Sequence, residues 1–188
     1  MLGKRGYMNL WLPVVVIVLL DQLLKIYIKT FFQIGENYSV FPWFVIYFVE
    51  NNGFAFGLEL FGKYGKLMLT IIRILFVLLI CFWLKKIIAG GEYSRVLVFA
   101  FVLIIAGAVG NIIDSVFYGV LFGYAPLFYG KVVDMFYFPI LVGTYPDWIP
   151  FLGGKGFVFF RYIFNIADSS ITIGAFLLLF LHKQIPTK

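Results

Sequence analysis

Four aspartates, Asp21, Asp114, Asp134 and Asp168, stand in strongly apolar surroundings. Each lies near a residue that could work with it. Asn111 precedes Asp114 by three positions, and Asn165 precedes Asp168 by three. Lys25 follows Asp21 by four. On a helix these spacings put both side chains on one face. Asn51 stands apart in Asn51-Asn52-Gly53, which reads as a turn. Carboxylates offer one chemistry without help from other groups. When two of them share a proton, the ionised one can act as general base on water. The protonated one polarises a carbonyl and later protonates the leaving amine. Like charges so close resist joint ionisation, so their titrations split.

Other catalytic chemistries lack their residues. The single histidine, His182, lies beside Lys183, and the single cysteine, Cys81, lies inside an apolar run. Ser–His and Cys–His catalysis, thiol or imidazole metal sites and an internal disulfide framework therefore have no support. An acid pair needs neither a metal nor another cofactor. The same acids also fit a proton-coupled transporter or ion pathway, or a non-catalytic membrane assembly factor. From the residues alone all three stay open.

The elements that must position these acids are set by lipid. Of 188 residues, 63% are hydrophobic and only 13% charged, too few to cover a soluble domain of this length. The length suits one unit, 1–188. Four apolar stretches, about 9–28, 66–84, 96–113 and 162–181, approach the roughly 20 helical residues that cross a bilayer. The expected fold is an all-α membrane protein with a small β element. Lys4 and Arg5 before an apolar run imitate a signal peptide. No small-residue cleavage site follows, so the first stretch reads as an uncleaved span.

Lys4 and Arg5, then Lys85, Lys86 and Arg95, then Lys183 and Lys188 mark both termini and the short middle link as cytoplasmic. The net charge of +6 thus reads as topology and lipid-headgroup contact, not nucleic-acid binding. The two long connections then face outward. The first, about 33–61, is rich in β-branched and aromatic residues and reads as short strands at the membrane surface. The second, about 115–161, is aromatic and broken by Pro126, Pro139, Pro146 and Pro150. No internal repeat is visible, which disfavours an inverted-repeat transporter. On this topology Asp21, Asn51, Asn111, Asp114, Asp134, Asn165 and Asp168 all map near the outer leaflet. Gly53, Gly107 and Gly110 would let backbones approach there.

Five motifs in order resemble bacterial lipoprotein signal peptidase (signal peptidase II), over nearly the whole chain. They are Asp21-Gln22-x-x-Lys25, Asn51-x-Gly53-x-Ala55-Phe56-Gly57, Gly107-x-x-Gly110-Asn111-x-x-Asp114, Val132-Val133-Asp134-Met135 and Phe164-Asn165-x-Ala167-Asp168-Ser169. The resemblance implies an aspartic endopeptidase of the bacterial cytoplasmic (inner) membrane, with its site near the periplasmic face. It implies cleavage of the signal peptide from prolipoproteins, just before a diacylglyceryl-modified cysteine. Asp134 and Asp168 would be the catalytic dyad. Asn51, Gly53, Asn111, Asp114 and Asn165 would bind substrate. Asp21 would support the site with Lys25 as a helix-end partner. The outer strands would form a β-cradle. The resemblance further implies a monomer among membrane lipids, inhibited by globomycin-type peptide antibiotics.

Two departures stand out. Ser115 occupies a position where many relatives have arginine, leaving Arg161 or Lys131 as possible substitutes. The segment of about 137–160 between the two motif aspartates is unusually long, with the Gly, Pro and aromatic content of an interfacial lid.

Overall fold

The computed structural model describes residues 4–52, 64–91 and 93–181, with side chains from residue 11 onward. Gly53, the rest of the expected cradle to residue 61, and His182, Lys183 and Lys188 lie outside the described residues. The first helix, α1, runs Lys4–Phe31, and a hairpin of β1 (Asn37–Phe41) and β2 (Phe44–Asn51) follows. Helices α2 (Gly65–Gly90) and α3 (Arg95–Ile113) come next. Among the described residues three helical stretches are long and apolar enough to cross a membrane: Trp11–Phe31, Gly65–Gly90 and Arg95–Leu121. They expose Leu19, Leu23, Leu75, Leu78 and Phe82, residues that lipid rather than water would cover.

The link between α2 and α3 is short for local reasons. Gly91 adopts a left-handed conformation (φ 81°) and its N–H caps the Ile88 carbonyl. Ser94 then accepts a hydrogen bond from the Leu97 N–H and starts α3. Helix α3 is the hub. It packs on α1, α2 and most extensively on α5 (Ile166–Phe180), and it is buried along most of its length. Two glycines permit the close α3–α5 approach. A Cβ on Gly107 would strike the Ala167 carbonyl oxygen, and one on Gly174 would lie 2.7 Å from the Ala100 carbonyl oxygen.

Three boundaries differ from the sequence expectation. The third helical stretch does not stop near Ile113. It widens into a π-helical turn, Asp114–Tyr118, and ends in a short helix α4, Gly119–Leu121. Ser115 therefore belongs to the helix and not to a loop, because Val116, Phe117 and Tyr118 continue the apolar run. Asn51 is not in a turn: it ends β2, opposite Val132. The last helix begins at Ile166 rather than near Tyr162, because Asn165 caps it. Its 15 residues are shorter than the other three stretches.

The remaining strands are β3 (Val132–Tyr137), β4 (Leu141–Thr144), β5 (Gly156–Phe159) and β6 (Ile163–Phe164). An antiparallel sheet runs in the order β1-β2-β3-β6, while β4 and β5, among the described residues, pair only with each other. Phe136 pairs with Phe164 and Tyr137 with Ile163, so the long segment between them leaves the sheet and returns to the same place. The sheet rests on the helices through Ile28, Phe48, Tyr118, Val133 and Met135. Its other aromatics stack on one another, with Phe138 against Trp43, Phe44 and Phe164.

Candidate active site

The sheet register brings the acids together. Asp134 lies on β3 opposite Val49, and the β3–β6 pairing ends one residue before Asn165. The Asn165 side chain accepts a hydrogen bond from the Asp168 N–H at 2.8 Å, the cap that starts α5. Its amide donates to Asp134 Oδ1 at 2.6 Å. The Asn111 amide, from α3, donates to Asp168 Oδ1 at 2.7 Å. Asn165 also donates to Asn111 Oδ1 at 3.3 Å, so two carboxamides link the two carboxylates. Asn51 donates to the second oxygen of Asp134 at 3.1 Å.

Asp134 is buried, whereas Asp168 is part-exposed. Burial, then the negative charge of Asp168, pushes the Asp134 carboxyl up to about 7; the Asn51 hydrogen bond, the Lys25 charge and the Asn165 hydrogen bond oppose this more weakly. Asp134 is thus a carboxyl that can hold a proton near neutral pH. Asp168, in the first turn of α5, sits where the helix dipole favours negative charge.

Asp21 and Lys25 occupy a different place from the one expected. Helix α1 continues to Phe31, so Lys25 is no helix-end group. Its ammonium is 0% exposed and meets Asp21 at 2.9 Å, Asp114 at 2.8 Å and Asn111 Oδ1 at 3.0 Å. Asp21 in turn accepts from the Ala167 N–H at 2.9 Å, at the start of α5. Gly110 gives Asp21 its room: a Cβ there would lie 2.7 Å from Asp21 Oδ2. Asp114 differs from its expected substrate-binding role. It is 0% exposed, and both oxygens are engaged by Lys25, Gln22 and the Val133 N–H. No surface is left for substrate, and its contacts hold α1, α3 and β3 together.

Sequence reasoning gave no role to four side chains that the structure places around the acids. Gln22 donates to Asp114 at 2.8 Å and to the Gly110 carbonyl at 3.1 Å. Tyr118 donates to Gln22 Oε1 at 3.1 Å. Lys66 and Arg73, both from α2, donate to Ser115 Oγ at 3.2 and 3.3 Å. The signal for the last two was available: Lys66, Thr70 and Arg73 are one helical face in an apolar stretch. Arg161 and Lys131 do not take this place. Arg161 is exposed, and Lys131 pairs at 3.2 Å with Glu50, which also pairs with Lys29. Burial alone would raise Glu50, but the two lysines hold its carboxyl below the usual range.

Fold and site define a multi-pass helical membrane protein whose convergent polar groups are carboxylates braced by carboxamides. A family model described as "Signal peptidase (SPase) II" matches residues 13–183. A lipoprotein signal peptidase of Porphyromonas gingivalis is 45% identical over 181 residues, covering 88% of this chain and 79% of the relative. One from Amoebophilus asiaticus is 35% identical over 170 residues, covering 86% of this chain and 72% of the relative. A solved structure of a bacterial membrane enzyme superposes with a TM-score of 0.66 at 32% identity, over 96% of this chain and 91% of that one. The chain belongs to the signal peptidase II family, and it is a peptidase.

The Lys25 contacts generate a test. Lys25→Met leaves two buried carboxylates without their cation, an arrangement that costs about 3–5 kcal/mol. Thermal unfolding in detergent micelles should show a markedly less stable protein. Any fraction that remains folded should still cleave; complete loss of cleavage in a variant of unchanged stability would give Lys25 a direct chemical role instead.

Proposed function

We propose that this peptidase removes the signal peptide from diacylglyceryl-modified prolipoproteins, with Asp134 and Asp168 as its catalytic dyad. One observation carries the assignment: the β3–β6 pairing and the Asn165 cap bring these two acids within electrostatic reach of each other. In the proposed mechanism ionised Asp168 takes a proton from water, and the water oxygen attacks the scissile carbonyl. Asp134, holding the other proton, hydrogen-bonds the carbonyl oxygen as it gains charge. Collapse of the tetrahedral species breaks the C–N bond, and the dyad returns a proton to the departing amine. Asn111 and Asn165, both buried, orient the two acids, and part-exposed Asn51 also binds the substrate backbone. Gly53 is assigned to the same groove by motif alone.

The wider reading treats residues 1–188 as one integral domain with four spans, α5 being the fourth. Both termini face the cytoplasm, on the basis of the Lys and Arg distribution, and the dyad lies near the outer face of the inner membrane. The segment of about 33–61, with β1 and β2, forms the cradle at that surface, where aromatic side chains are favoured. The protein works as a monomer among lipids and is sensitive to globomycin-type peptides. A lipidated substrate stays in the bilayer because each buried methylene adds about 0.8 kcal/mol of membrane affinity. The enzyme must therefore meet it there.

Residues 137–160 form a lid over the substrate groove. Trp148 and Phe151, at 80% and 93% exposure, lie in the turn of its hairpin. Replacing residues 139–161 with a short Gly–Ser turn keeps the Tyr137–Ile163 junction. Folding, read by thermal unfolding, should be little changed, and prolipoprotein processing should fall. Undiminished processing would sink the lid.

Asp134→Asn or Asp168→Asn removes an acid or base while keeping shape. Each should lower cleavage of a purified lipidated prolipoprotein by at least about a hundredfold. A normal rate in either variant rules out the dyad. The pH dependence has a definite sign. Below about 7 Asp134 keeps its proton and can polarise the carbonyl; above it Asp134 is ionised and that donor is lost. Values of kcat/KM measured in micelles should therefore fall as pH rises through about 7.

A further inference from the structure

One acid on β2 joins two lysines from different elements. Glu50 pairs with Lys29, in the last turn of α1, and at 3.2 Å with Lys131, the residue before β3. Its side chain is only 7% exposed, so water and salt screen these contacts little. Lys29 is held from other sides as well. The Phe48, Phe122 and Tyr124 ring centres lie 5.9, 4.9 and 4.6 Å from its ammonium. The Lys131 N–H donates to the Tyr124 hydroxyl at 2.8 Å. Both lysines thus have anchors outside β2, and Glu50 is the group through which they hold that strand.

The place of that hold matters. Pairing of β2 with β3 changes register between Ile46 and Val49. The last three pairs, Val49–Asp134, Glu50–Val133 and Asn51–Val132, therefore keep a register that the earlier pairs do not impose. Alternation puts Asn51 on the face of Val49 and Asp134, and Glu50 on the opposite face with Phe48. On the first face Asn51 donates to Asp134 at 3.1 Å. On the second the two lysines fix its neighbour, Glu50. A slip of one position would exchange the faces and take the Asn51 donor away from Asp134.

We propose that Glu50 is a positioning residue for the peptidase reaction: by joining Lys29 and Lys131 it keeps Asn51 on Asp134. The role rests on the dyad reading. Glu50→Gln keeps the shape and removes the charge. Below about pH 7, kcat/KM for a purified lipidated prolipoprotein is expected to fall about tenfold, the worth of one hydrogen bond to a charged group. The pH profile carries the discriminating sign. The Asn51 hydrogen bond favours ionised Asp134, so losing it keeps the proton in place to higher pH. The limb that falls through about 7 in the parent protein should therefore move upward. Removing the Glu50 charge without moving Asn51 would shift the limb downward, because a negative neighbour is lost. The charged groups facing Asp134 are Asp168 on α5, Lys25 on α1 and Arg73 on α2, and they are the same in both proteins.

An Asn51→Ala background completes the test. There Glu50→Gln should cause no further loss and no further movement of the limb. Lys29→Met, which still packs on the three rings, is read by the same cycle if Glu50→Gln does not fold. A limb that stays or moves downward in folded Glu50→Gln overturns the assignment. So does an undiminished effect of either variant in the Asn51→Ala background. The dyad fails on a different observation, a normal rate for Asp134→Asn or Asp168→Asn.

Discussion

The buried ammonium of Lys25 is the constraint on which the rest depends. A cation fully removed from solvent inside an apolar bundle is tolerated only when it is paired and hydrogen-bonded. Here Asp21, Asp114 and Asn111 supply those partners from α1 and α3. Each partner then passes the constraint on. Asp21 holds the first turn of α5 through the Ala167 N–H, and Asp114 holds β3 through the Val133 N–H. Asn111, oriented by Lys25, donates to Asp168. Three helices and a strand are thereby positioned around one charge.

The second determinant is the register of the sheet. Side chains alternate along a strand, so a slip of one residue in β3 would turn Asp134 to the opposite face. The β2 and β6 partners fix that register from both sides, and Asn165 follows β6 directly. This explains how so long an insertion between the two aspartates is accommodated. The β4–β5 hairpin pairs with itself, and the chain returns beside its point of departure, where Tyr137 pairs with Ile163. The spacing of Asp134 and Asp168 in sequence therefore says little about their proximity in space.

Local pattern made the helical stretches, the hairpin and the candidate acids legible, because apolar runs, β-branched segments and motif order are short-range signals. The roles of Asp21, Lys25 and Asp114 were less visible. Their partners lie on other elements, and helical spacing alone cannot distinguish a snorkelling pair from a buried bridge. The continuation of the third helical stretch beyond Ile113 was not legible, because nothing in Asp114-Ser115 announces a π turn that keeps the helix going. That continuation puts Ser115 within reach of Lys66 and Arg73, which sequence reading had passed over as ordinary residues of the second span.

Four aspartates in one apolar protein are not equivalent acids, and their partners separate them. Asp21 and Asp114 are buried and face a lysine. Their charge is compensated in place, which suits a fixed brace. Asp134 and Asp168 face neutral carboxamides instead. A carboxamide orients a carboxylate and accepts either protonation state of the pair without introducing a compensating charge. Asp168 also retains an exposed edge. These partners support the proposed assignment of acid–base exchange to Asp134 and Asp168, with Asp21 and Asp114 as the brace that positions them.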